Sequence, residues 1–184
     1  AYLHIERCRS RLKDRGERLA KSEQRLREGL NATKDLEIYH PNIPMYYQLK
    51  KELNAGLANN LEKQGKLADA RGYYEQALRM QRLLIEHAEY PELHRPWLDW
   101  LQVDFGILLL DSNELARAEQ VLGEVAERLE TALDTGLTVE QGFRRHREVS
   151  LRKLEEAYRG LQEHARRQGS SEAMATWEQK AREL

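Results

Sequence analysis

The sequence predicts an all-α fold, a solenoid in which antiparallel helix pairs lean on one another. Three observations carry this expectation. The chain holds 29 leucines against 15 valines, isoleucines and threonines together, and branching at Cβ costs rotamer freedom in a helix while suiting a strand. Glycine and proline make up only 15 of the 184 residues, fewer than the usual ~12%. The chain also repeats itself every 47–48 residues, and a period of that size marks stacked supersecondary units.

The repeat is legible in two places. His40-Pro41-Asn42-Ile43-Pro44-Met45-Tyr46 aligns with His87-Ala88-Glu89-Tyr90-Pro91-Glu92-Leu93, and Gly65-Lys66-Leu67-Ala68-Asp69-Ala70-Arg71 aligns with Asn113-Glu114-Leu115-Ala116-Arg117-Ala118-Glu119. Fainter copies stand at Gly16–Ser22 and Gly169–Ala173. The expected organisation is therefore a partial repeat over 1–40, full repeats over 41–87 and 88–137, and an atypical terminal repeat over 138–184. Terminal units of a solenoid are commonly atypical because one face has no neighbour.

Each full unit reads as two helices. In the first, Pro44 suits an opening turn, where a missing N–H removes no bond. Leu49, Leu53, Leu57 and Leu61 follow at four-residue spacing, an apolar stripe on one helix face. Gly65 ends that helix, and a second runs from about Leu67 to Glu86 with Ala70, Tyr74, Ala77, Leu78 and Leu84 turned inward. The second unit repeats the plan with Leu98, Leu101, Phe105 and Leu109, then Leu115, Ala118, Leu122, Val125 and Leu129. Asn113 takes the place of Gly65, being the other residue that tolerates positive φ. Small residues at Ala58 and Gly106, and at Ala70 and Ala118, let the two helices of a pair approach closely, with Tyr74 or Leu122 filling the space beside them. The stretch 138–168 reads as one long helix that, with 171–184, forms a terminal cap with a polar outer face.

The pattern Ala58…Gly65-Lys66-Leu67…Ala70…Tyr74…Ala77 resembles the tetratricopeptide repeat, in a long-period form. The junction from His40 to Tyr46 is similar to those of long-period tetratricopeptide arrays in large bacterial proteins, some of which carry a serine/threonine kinase domain. The resemblance implies a right-handed superhelix whose inner wall is lined by the first helix of each pair. Asn59 resembles an inner-face asparagine that holds a peptide backbone in that family. Glu52 and Gly56 stand where the basic residues of a carboxylate clamp would be, which speaks against capture of an acidic C-terminal peptide. The expected partner-facing residues are Glu52, Asn59 and Lys63 in the first unit and Trp97, Trp100, Asp104 and Ile107 in the second. For the two tryptophans, hot-spot contact and packing against the preceding unit's second helix are the competing readings.

Chemistry is harder to find. His4 and Cys8 share a helix face, yet two ligands fall short of a zinc site, so no metal or other cofactor is expected. His40 and His87 recur at one repeat position, which points to a junction role. No phosphate loop, nucleophile elbow or H-E-x-x-H is present, and adjacent carboxylates such as Glu155 and Glu156 diverge on a helix. Catalysis is not expected. A single cysteine closes no intrachain disulfide, and the longest purely apolar run, Ile107–Leu110, is far below the ~18 residues of a membrane span. Without an apolar leader, the expected location is the cytoplasm. Arg7, Arg9, Arg11, Lys13 and Arg15 alternate and so spread around a helix axis, while Arg144, Arg145 and Arg147 lack interleaved aromatics; nucleic acid is not an expected partner.

The net charge of −1 is unevenly spread: +3 over 1–40, +2 over 41–86, −8 over 87–137 and +2 over 138–184. The −8 stretch reads either as solvated helix faces or as a patch that meets a basic partner or a second copy. A start at Ala1 and an end at Leu184 inside a helical pattern read as a piece of a longer protein. The expected function is a non-enzymatic protein-interaction scaffold presenting a helical groove to a peptide or partner domain. The alternative is a self-association module, such as the regulatory domain of a bacterial Ser/Thr kinase.

Overall fold

The computed structural model describes residues 2–39, 43–134 and 143–183, with side chains described for 14–34, 43–131 and 148–183. The described residues form seven α-helices: α1 (Tyr2–Tyr39), α2 (Pro44–Lys63), α3 (Leu67–His87), α4 (Arg95–Asp111), α5 (Leu115–Asp134), α6 (Phe143–Gln168) and α7 (Ser171–Arg182), with a 3-10 turn at Pro91–Leu93 before α4. No strand occurs among them, so the fold is all-α. The helices fall into two compact units, 1–87 and 88–184.

One turn recurs three times and explains where helices stop. Gly65, Asn113 and Gly169 all have positive φ, of 75°, 61° and 72°. After each, a backbone N–H reaches back over the helix end: Lys66 to Leu61 at 2.9 Å, Glu114 to Leu109 at 2.8 Å, and Ser170 to Ala165 at 3.0 Å. A second bond in each case runs from the positive-φ residue itself, Gly65 to Glu62, Asn113 to Leu110 and Gly169 to Arg166. This is the Schellman cap, which satisfies carbonyls that the helix leaves unpaired. Gly16, the faint upstream copy, adopts no such conformation, and α1 runs through it unbroken.

In the first unit, α2 and α3 pair through fully buried Leu57, Ala58, Leu61, Ala70 and Ala77. Tyr74 fills the space beside Ala70 and donates its hydroxyl to Glu62 on α2 at 3.0 Å. Leu49, the first leucine of the expected stripe, is instead exposed. His87 stacks on Tyr47 with ring centroids 5.6 Å apart; His40, its repeat counterpart, lies outside the described residues, as do the side chains of His4, Cys8 and Arg144–Arg147.

α1 is drawn onto α2 through a second set of contacts. Leu53 lies against Gly29 and Leu26 against Gly56, close enough that a Cβ on either glycine would stand 2.9 or 3.2 Å from the leucine. Asn60, buried, donates to the Leu19 carbonyl at 3.2 Å. Glu23 accepts from Gln64 at 2.8 Å, from Lys66 at 3.2 Å and from Arg27 at 2.8 Å, and Arg27 continues to the Tyr73 hydroxyl on α3 at 3.1 Å.

The second unit contains the long helix expected within 138–168, as α6. α6 is a core helix, burying Leu154, Ala157, Tyr158, Leu161 and Ala165 against α4 and α5. Leu122 of α5 sits between two glycines: a Cβ on Gly106 of α4 would stand 2.6 Å from it, and one on Gly160 of α6 2.8 Å. α7, which follows α6, buries no residue. Helical periodicity places Leu154, Ala157, Tyr158, Leu161 and Ala165 on one face, with the many charges of the stretch on the others.

Candidate functional site

The face of α4 expected to line an open wall is covered by α6. Trp100 is 7% exposed, and its indole N–H donates to the Ser150 hydroxyl at 3.2 Å. It is a core residue, held by α6 of its own unit, which corrects its place among the partner-facing residues. Asp104 is likewise taken up, in an ion pair with Lys153 of α6. Burial pushes the Asp104 carboxyl up, against the pull of Lys153. Ile107 is half-buried. Trp97 alone keeps an open face at 42% exposure, packing edge-on against Trp100 at 4.7 Å between ring centroids.

The acidic stretch finds its bases inside the same unit. Besides Asp104 with Lys153, Glu119 faces His164 of α6 at 3.2 Å, and Glu130 faces Lys180 of α7 at 2.7 Å and also accepts from Tyr158. Asp99 pairs with Arg128 at 2.8 Å and Glu114 with Arg117 at 3.1 Å. Burial would raise the Glu130 carboxyl, but the bonds from Lys180 and Tyr158 bring it below its ordinary value. These five carboxylates of the −8 stretch are thus engaged without a second molecule.

The first unit has an open recess instead, between α1 and α2. It holds about 600 Å³. One wall is α1, with Arg15, Arg18 and Ser22; the other is α2, with Asn59 and Lys63; Leu19, Leu26, Gly56 and Asn60 complete its lining. A smaller recess of about 370 Å³ continues along α1 past Lys21 and Arg25, sharing Arg18, Ser22 and Leu26 with the first. The spacing 15, 18, 22, 25 is that of one helix face, so the basic residues form a stripe.

Among the described residues no carboxylate lines either recess. Glu23, on the same stretch of α1, is bound over to the α2–α3 turn, and the bond from Gln64 and the charges of Arg27 and Lys66 hold its carboxyl down at about 2 against the opposing effect of burial. Among the described residues no carboxylate pairs with Arg15, Arg18, Lys21, Arg25 or Lys63.

Of the expected partner-facing residues, Asn59 and Lys63 are therefore brought together at this recess. Glu52, two turns earlier on α2, is exposed but not part of its lining, and it accepts from Gln48. The basic residues that α2 lacks around Asn59 come from α1, which corrects the view that nothing cationic stands there. Arg15, Arg18 and Arg25 are missed when Arg7 to Arg15 are read as alternating; helical spacing from Arg15 onward is the signal that finds them.

Among the described residues there is no group of three or more His, Cys, Asp or Glu side chains fit to hold a metal ion, and no helix is long and apolar enough to cross a membrane. Compared with family models, curated proteins and solved structures, the chain matches none.

Proposed function

We propose that this chain is a non-enzymatic protein-interaction module, a tetratricopeptide-like helical repeat segment of a larger cytoplasmic protein. Its docking site for a partner segment is the α1–α2 recess. The observation that carries the reading is the recess itself: an open trough whose polar walls, Arg15 and Arg18 opposite Asn59 and Lys63, have no partner among the described residues while its lining includes apolar Leu19 and Leu26. Such a mixture suits an extended peptide, whose backbone needs amide partners and whose side chains need both charge and apolar contact. The three recurring caps and the buried small residues Ala58, Gly106, Ala70 and Ala118 support the repeat reading. Self-association through the −8 stretch is less well supported, because five of its eleven carboxylates are engaged within their own unit.

The test is selection of a random displayed peptide library on the folded protein, followed by rebinding to Asn59→Trp. Asn59 is exposed, so the indole blocks the trough without entering the core. Peptides that bind the parent protein and lose at least tenfold affinity for the variant, with an unchanged thermal melt, are the expected result. A selection that yields only peptides indifferent to Asn59→Trp overturns the site.

A further inference from the structure

The charge of this trough narrows what it accepts. We infer that the α1–α2 recess binds an acidic segment of a partner protein, its carboxylates held between the Arg15–Arg18 pair and Lys63. This rests on the docking site proposed above and adds the chemistry of its occupant. It does not depend on an inner wall of successive first helices: one wall is α1, which by the repeat alignment corresponds over Arg18–Tyr39 to a second helix.

Three features converge. Guanidinium groups three residues apart on one helix face present two forks to the same trough, and arginine forks match carboxylate geometry. Lys63 faces them from α2, so an anion entering the recess meets cations on both walls. Among the described residues these cations have no carboxylate partner, unlike five of the carboxylates of the second unit, so no ion pair seen among them must first be broken to admit an anion. The stripe from Arg15 to Arg25 is about 15 Å long at 1.5 Å per residue, room for four or five extended residues at ~3.3 Å each. Leu19, Leu26 and Gly56 in the lining favour a segment with an apolar side chain among its acids. Among the described residues no aromatic side chain lines the recess, so they offer no stacking platform of the kind a nucleic-acid strand uses. A second copy of this chain is disfavoured as occupant, since five of the eleven carboxylates of its most acidic stretch are engaged within their own unit.

The probes are a short fluorescein-labelled peptide of aspartate, glutamate and leucine, its asparagine/glutamine counterpart, labelled oligothymidylate, and vesicles with phosphatidylserine. Titration with the intact chain is expected to show the acidic peptide bound at least tenfold more tightly than its amide counterpart. Arg15→Glu and Arg18→Glu should each weaken it at least tenfold, and added salt should weaken it further. Both arginines are exposed and have no ion-pair partner among the described residues, so the variants should melt as the parent does; Lys63→Glu from the other wall provides an independent check. Equal binding of the amide counterpart overturns the acidic assignment but leaves the docking site standing, provided Asn59→Trp still abolishes it. Tighter binding of oligothymidylate or of the vesicles overturns the choice of partner. Self-association that Arg18→Glu abolishes, with no peptide bound, overturns it in favour of a second copy.

Discussion

Glycine has opposite meanings at two helical positions. Gly106 carries no Cβ because Leu122 occupies the space, at 2.6 Å from where the atom would be, and Gly160 closes on the same leucine from α6. Gly106→Ala forces Leu122 to move where it is hemmed in on both sides, and overpacking of this kind destabilises by about 1–3 kcal/mol. Gly72, in α3, has nothing within 4 Å of its Cβ position and lies on an exposed face. Gly72→Ala should stabilise by roughly 0.5–1 kcal/mol, by restricting the unfolded chain. Urea denaturation of the two variants is expected to move in opposite directions. The sequence reading singled out the small residue at 106 from its repeat register with Ala58, but the second clamp at Gly160 lay in a stretch with no detectable register.

Between elements, the fastening of α1 is the most sensitive to pH. The Glu23 carboxyl lies at about 2, against an ordinary 4.5, because Gln64 donates to it and Arg27 and Lys66 surround it. A carboxyl depressed in the folded state contributes stability that is fully present above its ordinary value and is lost as pH falls toward the folded one. The window here runs from about 4.5 down to about 2. Hydrogen exchange of α2 amides near the Glu23 contacts should therefore accelerate as pH falls through that window, after correction for intrinsic rates. Glu23→Gln should weaken the protection at pH 7 and flatten its dependence on acid. An unchanged acid dependence in that variant would remove Glu23 as the cause.

The same scale shows what a local pattern can and cannot disclose. The α2–α3, α4–α5 and α6–α7 turns were visible as Gly65, Asn113 and Gly169, since a helix ends for reasons contained within six residues. The part played by α6 was not. Its apolar positions, Leu154, Tyr158 and Leu161 among them, mark a helix that packs by one face, but not the helices it packs against. Several of its charges have partners across the unit: Lys153 meets Asp104, and Arg167 donates to the Leu110 carbonyl at 2.5 Å.

For the molecule as a whole, segment charges of −8 and +2 invite the thought of an acidic surface seeking a partner. The second unit pairs part of that charge internally through Lys153 and Lys180. Light scattering should accordingly return a monomer mass from low to high salt. A dimer that dissolves as salt rises would show that enough acidic surface remains to join two copies.

The sequence alone determined the all-α character, the approximate helix boundaries of the two full units, the caps and the small residues at the crossings. All of these follow from side-chain sterics and short-range periodicity. It placed Asn59 and Lys63 on one helix face for the same reason. Only the tertiary structure decided that Trp100 and Asp104 are spent on α6, and that Arg15 and Arg18 stand opposite Asn59 and Lys63. Those pairs are separated by some fifty residues of chain and owe their meeting to which helix packs beside which. No local spacing records that choice, because it is settled by the whole set of faces that must be buried together.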